Sequence, residues 1–303
     1  MLSTEPQVSL KNILVPTDFS DSSISALKYV LPMARQFHSS IHIVHVIRFP
    51  MMSFIMPGID ADVRCQARAT AQEQLDHLEA IIGEVPHQFW LCEGSIAEAI
   101  EALVRSAHID IIAAGTSAKS NMRKLFLGSA AEEILRTATC PVLLVGPRVS
   151  PGKPCSALTQ ILYVTKFWEE SHCGLKYAIG IAQQHKSRIL LLHVIEQDGP
   201  KPTDEWLNTY RRQLAKLLPA SGCGLAADPV LRVEAARNVA SRILHVAAEV
   251  EANLIIMDIP QEEPWATHLP DIVYEIIRSA PCPVLSIRTN PAAERSEMAK
   301  TAD

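Results

Sequence analysis

Short apolar runs alternate with amphipathic stretches along most of the chain. The first run, Asn12-Ile13-Leu14-Val15-Pro16-Thr17, predicts a strand, and the segment behind it places Leu27, Val30, Leu31 and Ala34 on one helical face. A second strand is predicted over Ile41–Ile47, followed by a long helix ending near Ile82. His87, Phe89 and Leu91 alternate as in a third strand, and Ser95 with Glu98 forms a helix-start signal for a helix reaching Ser106. The run Ile109–Ala114 predicts a buried parallel strand, Ala130–Ala138 a helix and Val142–Val145 a last strand. The resulting β-α-β-α-β-α-β-α-β alternation implies a parallel sheet with helices on both faces.

The same pattern then begins again. Ile13-Leu14-Val15-Pro16-Thr17-Asp18 recurs as Ile161-Leu162-Tyr163-Val164-Thr165-Lys166, and Ile41–Ile47 recurs as Ile189–Ile195, both displaced by 148 residues. Ile109–Gly115 matches Ala252–Asp258 at a displacement of 143, and Glu133–Leu143 matches Glu275–Leu285 at 142. The chain therefore reads as two copies of one domain: residues 1–147, a linker over 148–154 rich in Gly and Pro, residues 155–288, and a polar tail over 289–303 expected to be disordered. At 303 residues there is length for two domains, each with its own core. The final strands of both copies are apolar sheet edges that need cover.

Candidate chemistry sits between the fourth strand and the following helix of the first copy. The stretch Gly115–Ser129 contains Lys119, Arg123 and Lys124 and closes on Gly128-Ser129 before the helix. A glycine-bearing turn into a helix N-terminus, beyond the carboxyl end of a parallel strand, offers N–H groups to an anion such as phosphate. The same residues also have a purely structural reading: Gly115 lets the chain turn, and Ser129 with Glu132 forms a capping box. In the second copy Asp18 becomes Lys166, Gly115 becomes Asp258, Gly128-Ser129 becomes Pro270-Asp271, and Glu262 and Glu263 enter the loop. Proline removes a donor and the added carboxylates repel phosphate, so that copy is expected to have lost the site.

Composition narrows the classes. Hydrophobic content of 48% with 20% charged residues suits a globular protein, and a net charge of −5 gives no general attraction to nucleic acid or to acidic membranes. The N-terminal residues lack a signal-like apolar core, no uncharged run is long enough to span a bilayer, and cytoplasmic location is the expectation. Cys65, Cys92, Cys140, Cys155, Cys173, Cys223 and Cys282 form no C-x-x-C pair, so neither a disulfide framework nor a zinc site is expected. His45 and His193 occupy equivalent strand positions and read as structural histidines. The apolar loop Met51–Met56 suits either a segment folded back on its own domain or a lid or partner surface.

Pro16-Thr17-Asp18-Phe19-Ser20 at the end of the first strand, together with Gly115, Gly128 and Ser129 at their spacing, resembles the universal stress protein family, here as a tandem pair. One branch of that family carries a Gly-x-x-Gly-x9-Gly-Ser/Thr nucleotide signature; the second glycine is Ala118 in this chain. The resemblance implies two Rossmann-like α/β domains of the adenine nucleotide alpha hydrolase-like type, each a five-stranded parallel sheet flanked by helices, joined edge to edge as an internal pseudo-dimer. It further implies that Pro16, Thr17 and Asp18 hold the adenine and ribose, that Val46 lines the base pocket, and that Ala114 and Gly115 flank the ribose and first phosphate. Gly128, Ser129 and Ala130 would then receive the distal phosphates. If the family's glycine is left-handed at position 118, the Cβ of Ala118 costs about 1–2 kcal/mol.

The implied function is a cytoplasmic stress-response binding protein that takes ATP, or a related adenine nucleotide with or without magnesium, in the first domain. It would act through an unidentified protein partner, with self-association of two chains left open. Two other readings stand beside it: a scaffold without nucleotide that works through protein contacts, and a slow ATP hydrolase in which Asp18 or Asp21 places a divalent ion.

Overall fold

The computed structural model describes residues 8–48, 57–117, 127–149, 158–165, 173–200, 202–219, 224–260 and 270–289. The Met51–Met56 loop, most of the linker and the tail lie outside them. In the first half the elements run β1 (Asn12–Pro16), α1 (Asp21–Phe37), β2 (Ser40–Ile47), α2 (Pro57–Ile82), β3 (His87–Glu93), α3 (Ile96–Ser106), β4 (Ile111–Gly115), α4 (Ser129–Thr137) and β5 (Val142–Val145). The second half repeats them as β6 (Gln160–Val164), α5 (Cys173–His185), β7 (Arg188–Glu196), α6 (Asp204–Lys216), β8 (Val230–Ala236), α7 (Val239–Glu249), β9 (Leu254–Pro260), α8 (Asp271–Ser279) and β10 (Val284–Thr289).

Local chemistry sets the boundaries. α1 begins where the Ser20 side chain accepts from the Ser23 N–H, and it ends at His38 in the left-handed region (φ 52°). α3 starts at the predicted Ser95 cap, whose hydroxyl accepts from the Glu98 N–H at 3.5 Å. β4 begins two residues later than the apolar run suggests. Asp110 is used instead to fix register, its N–H donating to the Asn12 carbonyl (2.9 Å) and its carboxylate accepting from the Asn12 N–H (2.8 Å).

All described strands belong to a ten-stranded sheet of order β3-β2-β1-β4-β5-β10-β9-β6-β7-β8. Within each half the strands are parallel; the halves meet where β5 pairs antiparallel with β10, Leu143 opposite Leu285. The two short apolar strands thus cover each other's open edges. Burial follows the sheet rather than the repeat. On one face Ile13, Val15, Leu143, Leu285, Ile161 and Tyr163 belong to one continuous apolar cluster, and on the other Leu14, Ile112, Leu144, Val284, Ile255 and Leu162 belong to another. The expectation of one separate core per half is therefore corrected: two cores, one on each face, both run through the junction. Strand alternation explains this, since each β5 and β10 residue faces one side and meets its neighbour's side chain there. Among the described residues, no helix is long and apolar enough to cross a membrane.

Candidate functional site

In the first half the strand order reverses direction beside β1, which has β2 on one side and β4 on the other. Such a switch point opens a crevice beyond the strand ends. Here it is a cleft of about 280 Å³. Nine of the ten residues singled out from the sequence line it: Pro16, Thr17, Asp18, Val46, Ala114, Gly115, Gly128, Ser129 and Ala130. Ala118, Lys119, Arg123 and Lys124 lie outside the described residues. The base of the loop that carries them is marked by the Ser117 N–H approaching the Leu127 carbonyl at 3.4 Å.

The β1 end is built from hydroxyls and one carboxylate. The Thr17 N–H extends the ladder to the Val44 carbonyl (2.8 Å), while its hydroxyl accepts from the Phe19 N–H and shares a hydrogen bond with Ser23, each at 3.0 Å. Phe19 sits in the left-handed region (φ 61°), and this turn swings Asp18 outward. The Asp18 carboxylate accepts from the Ser20 N–H (3.1 Å) and from the Ser20 hydroxyl. Partial burial alone would raise its pKa, but the hydrogen bonds from Ser20 and Ser23 outweigh this and hold it below the usual aspartate value. Asp18 is therefore ionised at neutral pH. The adjoining His45 directs Nδ1 to the Thr17 carbonyl (2.8 Å), and His193 does the same to the Thr165 carbonyl (2.8 Å). Both rings brace the turn after the first strand of their half.

Gly115 and Gly128 have different jobs. A Cβ on Gly115 would lie 1.9 Å from the Ser22 carbonyl oxygen, so the bare glycine is what lets the first turn of α1 rest against the end of β4. Gly128 has φ 98° and is itself the N-cap of α4, with no side-chain cap bond. The capping box expected from Ser129 and Glu132 is corrected by this: Ser129 is the first helical residue, and the Glu132 N–H bonds to the Gly128 carbonyl at 3.0 Å. No side chain covers the helix end, and Ser129, Ala130 and Ala131, whose first-turn N–H groups have no intrahelical acceptor, line the cleft.

Sequence reasoning missed Arg48, Ser22, Ser23, Ile96 and Ile134, which also line the cleft. Arg48 had a usable signal, because strand alternation puts it on the same face as Val46. Ile96 and Ile134 come from the starts and faces of helices whose placement only the assembled fold supplies.

In the second half a carboxylate enters at the end of the fourth strand. Asp258, at the Gly115 position, accepts from the Gly174 N–H at the start of α5 (2.7 Å) and from the Tyr163 hydroxyl (2.6 Å). A Cβ on Gly174 would lie 2.8 Å from that carboxylate. Burial first, and the Asp258 charge second, push the Tyr163 hydroxyl well above an ordinary tyrosine. Pro270 caps α8 and Asp271 opens it. The equivalent cleft, of about 690 Å³, remains open and is lined by Val194, Glu196, Arg237, Ile272 and Glu275, so Glu196 stands where the first half has Arg48. Lys166, Glu262 and Glu263 lie outside the described residues.

A doubled, mostly parallel α/β sheet with a switch-point cleft over a glycine-capped helix end defines the class. A sequence model of the universal stress protein family matches residues 9–146 and 158–288, and the chain belongs to that family as a tandem member. Among individual relatives, universal stress protein MJ0531 of Methanocaldococcus jannaschii is 29% identical over 138 residues, spanning 45% of this chain and 81% of its own length. A universal stress protein from Archaeoglobus fulgidus superposes over 93% of this chain and 100% of its own, with a TM-score of 0.72 at 20% identity. The protein PA1789 of Pseudomonas aeruginosa, described as functionally unknown, does so over 97% and 99% with a TM-score of 0.61 at 16% identity. These structural likenesses establish the tandem fold.

Proposed function

We propose that the first half binds ATP or a related adenine nucleotide in the switch-point cleft, and that the protein is a cytoplasmic stress-response binding protein whose nucleotide occupancy alters its protein contacts. The observation that carries this reading is the meeting, in one cleft, of an ionised carboxylate, a side-chain-free helix N-terminus and a cation. Asp18 would accept from ribose hydroxyls, as acidic residues do in dinucleotide sites. The first turn of α4, helped by Arg48, would receive phosphate. Pro16, Val46, Ala114 and Ile96 give apolar walls for a base.

The second half supports a structural or interaction role instead. Pro270 and Asp271 replace Gly128 and Ser129 at the start of α8, and Asp271 and Glu196 bring negative charge to the matching positions. Calorimetric titration of nucleotide-free protein with ATP tests the reading: saturable heat is expected, and Gly128→Asp, which places a side chain at φ 98° and a carboxylate over the α4 N-terminus, is expected to weaken it at least about 100-fold. Unchanged binding by that variant would put the site elsewhere.

A further inference from the structure

A second cleft, of about 700 Å³, opens on the opposite face of β1 and β2 from the nucleotide cleft, between the turn after β1 and helix α2. One wall is the ring pair Phe19 and His45, with centroids 4.5 Å apart. The facing wall on α2 includes Ala67 and Ala71, and Asp18, Gln66, Thr70 and Gln74 add polar atoms. Its size falls within the range of about 300–1,000 Å³ typical of small-molecule sites.

The second half shows what fits such a space. Setting Leu214, the buried residue of α6, against the buried Leu75 of α2 brings the half-buried Tyr210 to the place of Ala71. In this register Tyr210 replaces Ala71 and Trp206 replaces Ala67. The Tyr210 ring stacks on His193, the counterpart of His45, with centroids 5.5 Å apart and planes at 18°, and Trp206 packs edge-on against Tyr210 at 4.9 Å. The second half thus closes this cleft with its own aromatic pair, whereas the first half keeps the histidine and has alanines opposite it. We propose that the first half binds a small aromatic molecule of the phenol or indole class in this cleft, its ring packed against Phe19 and His45 in the manner of Tyr210, and its hydroxyl or N–H directed to the Asp18 and glutamine rim. The rings of this site lie on the other face of the sheet from the nucleotide cleft, and Asp18 borders both.

The probe is p-cresol, the free equivalent of the tyrosine side chain, titrated into the ¹⁵N-labelled full chain while amide shifts are followed. Saturable shifts confined to the turn after β1, the end of β2 and the middle of α2, with half-saturation on the order of 1 mM, are expected. Ala71→Tyr, and separately Ala67→Trp, should each weaken binding at least about tenfold by supplying the aromatic group from the chain, with ATP titration unchanged. Tyr210→Ala should create a second p-cresol site beside His193. Absence of saturable shifts in the parent at 10-fold higher probe (~10 mM), or undiminished binding in whichever filled variant folds, would overturn the proposal.

Discussion

Strands β4 and β9 occupy equivalent places in the two halves and end in opposite ways. β4 ends in Gly115, and the absence of a side chain lets the Ser22 carbonyl of α1 come to where a Cβ would stand. β9 carries Asp258, whose carboxylate occupies that approach and binds the Gly174 N–H of α5 and the Tyr163 hydroxyl. The first half satisfies its helix start with the helix's own Ser20; the second satisfies it with a carboxylate from the sheet. One position, bare in one copy and charged in the other, changes how the first helix of each half is held against the sheet. Both arrangements support the same sheet, so the repeat could diverge in chemistry without diverging in fold.

The comparison breaks most severely at Gly115. Gly115→Ala should push the first turn of α1 off β4 and cost about 3 kcal/mol or more in urea unfolding, with ATP binding lost, because the clash is with backbone rather than a movable side chain. Next is Asp258→Ala, which leaves the Gly174 N–H and a fully buried tyrosine without their acceptor; about 2 kcal/mol of destabilisation is expected, with no gain of nucleotide binding by the second half. A native-like urea midpoint in that variant would show that Asp258 is not the capping group. Arg48→Glu copies Glu196 into the first half and should weaken ATP about tenfold at low salt, less at high salt, with the urea midpoint unchanged. An effect that ignores ionic strength would remove Arg48 from the phosphate end.

The smallest effect concerns pH. His42 is buried in the first half, its Nδ1 accepting from the Trp90 indole (3.2 Å) and its Nε2 facing the Asn12 amide oxygen (3.4 Å). Burial lowers its pKa, so in the acid range the unfolded chain binds a proton more readily than the folded one. Stability should then be full above the unfolded value near 6.5 and fall as pH drops through it towards the lower folded value. Burial lowers His185 and His193 in the same direction. A drop in Tm between pH 7 and pH 5, blunted in His42→Gln, is expected; an identical slope in that variant would assign the loss to other groups.

Much of this was legible in the sequence because it is local. Apolar runs such as Ile13–Val15 and Val142–Val145 announce buried parallel strands, and the spacing of Gly115, Gly128 and Ser129 marks a strand-to-helix turn where a ligand could sit. What stayed hidden depends on distant partners. Asp258 reads from sequence as a charge that repels phosphate, whereas its hydrogen-bond partners lie 84 and 95 residues away and make it a helix cap. Ser129 reads as an N-cap, but the φ of 98° at Gly128 moves the helix start by one residue. The shared cores follow from pairing β5 with β10, two strands whose periodicity alone does not name a partner.

The most direct test is the number of adenine nucleotides bound per chain, read by native mass spectrometry of the full protein saturated with ATP. The account predicts one, lost in Gly128→Asp and unchanged in Pro270→Gly. Two nucleotides in the parent, or one that persists in Gly128→Asp, would contradict it.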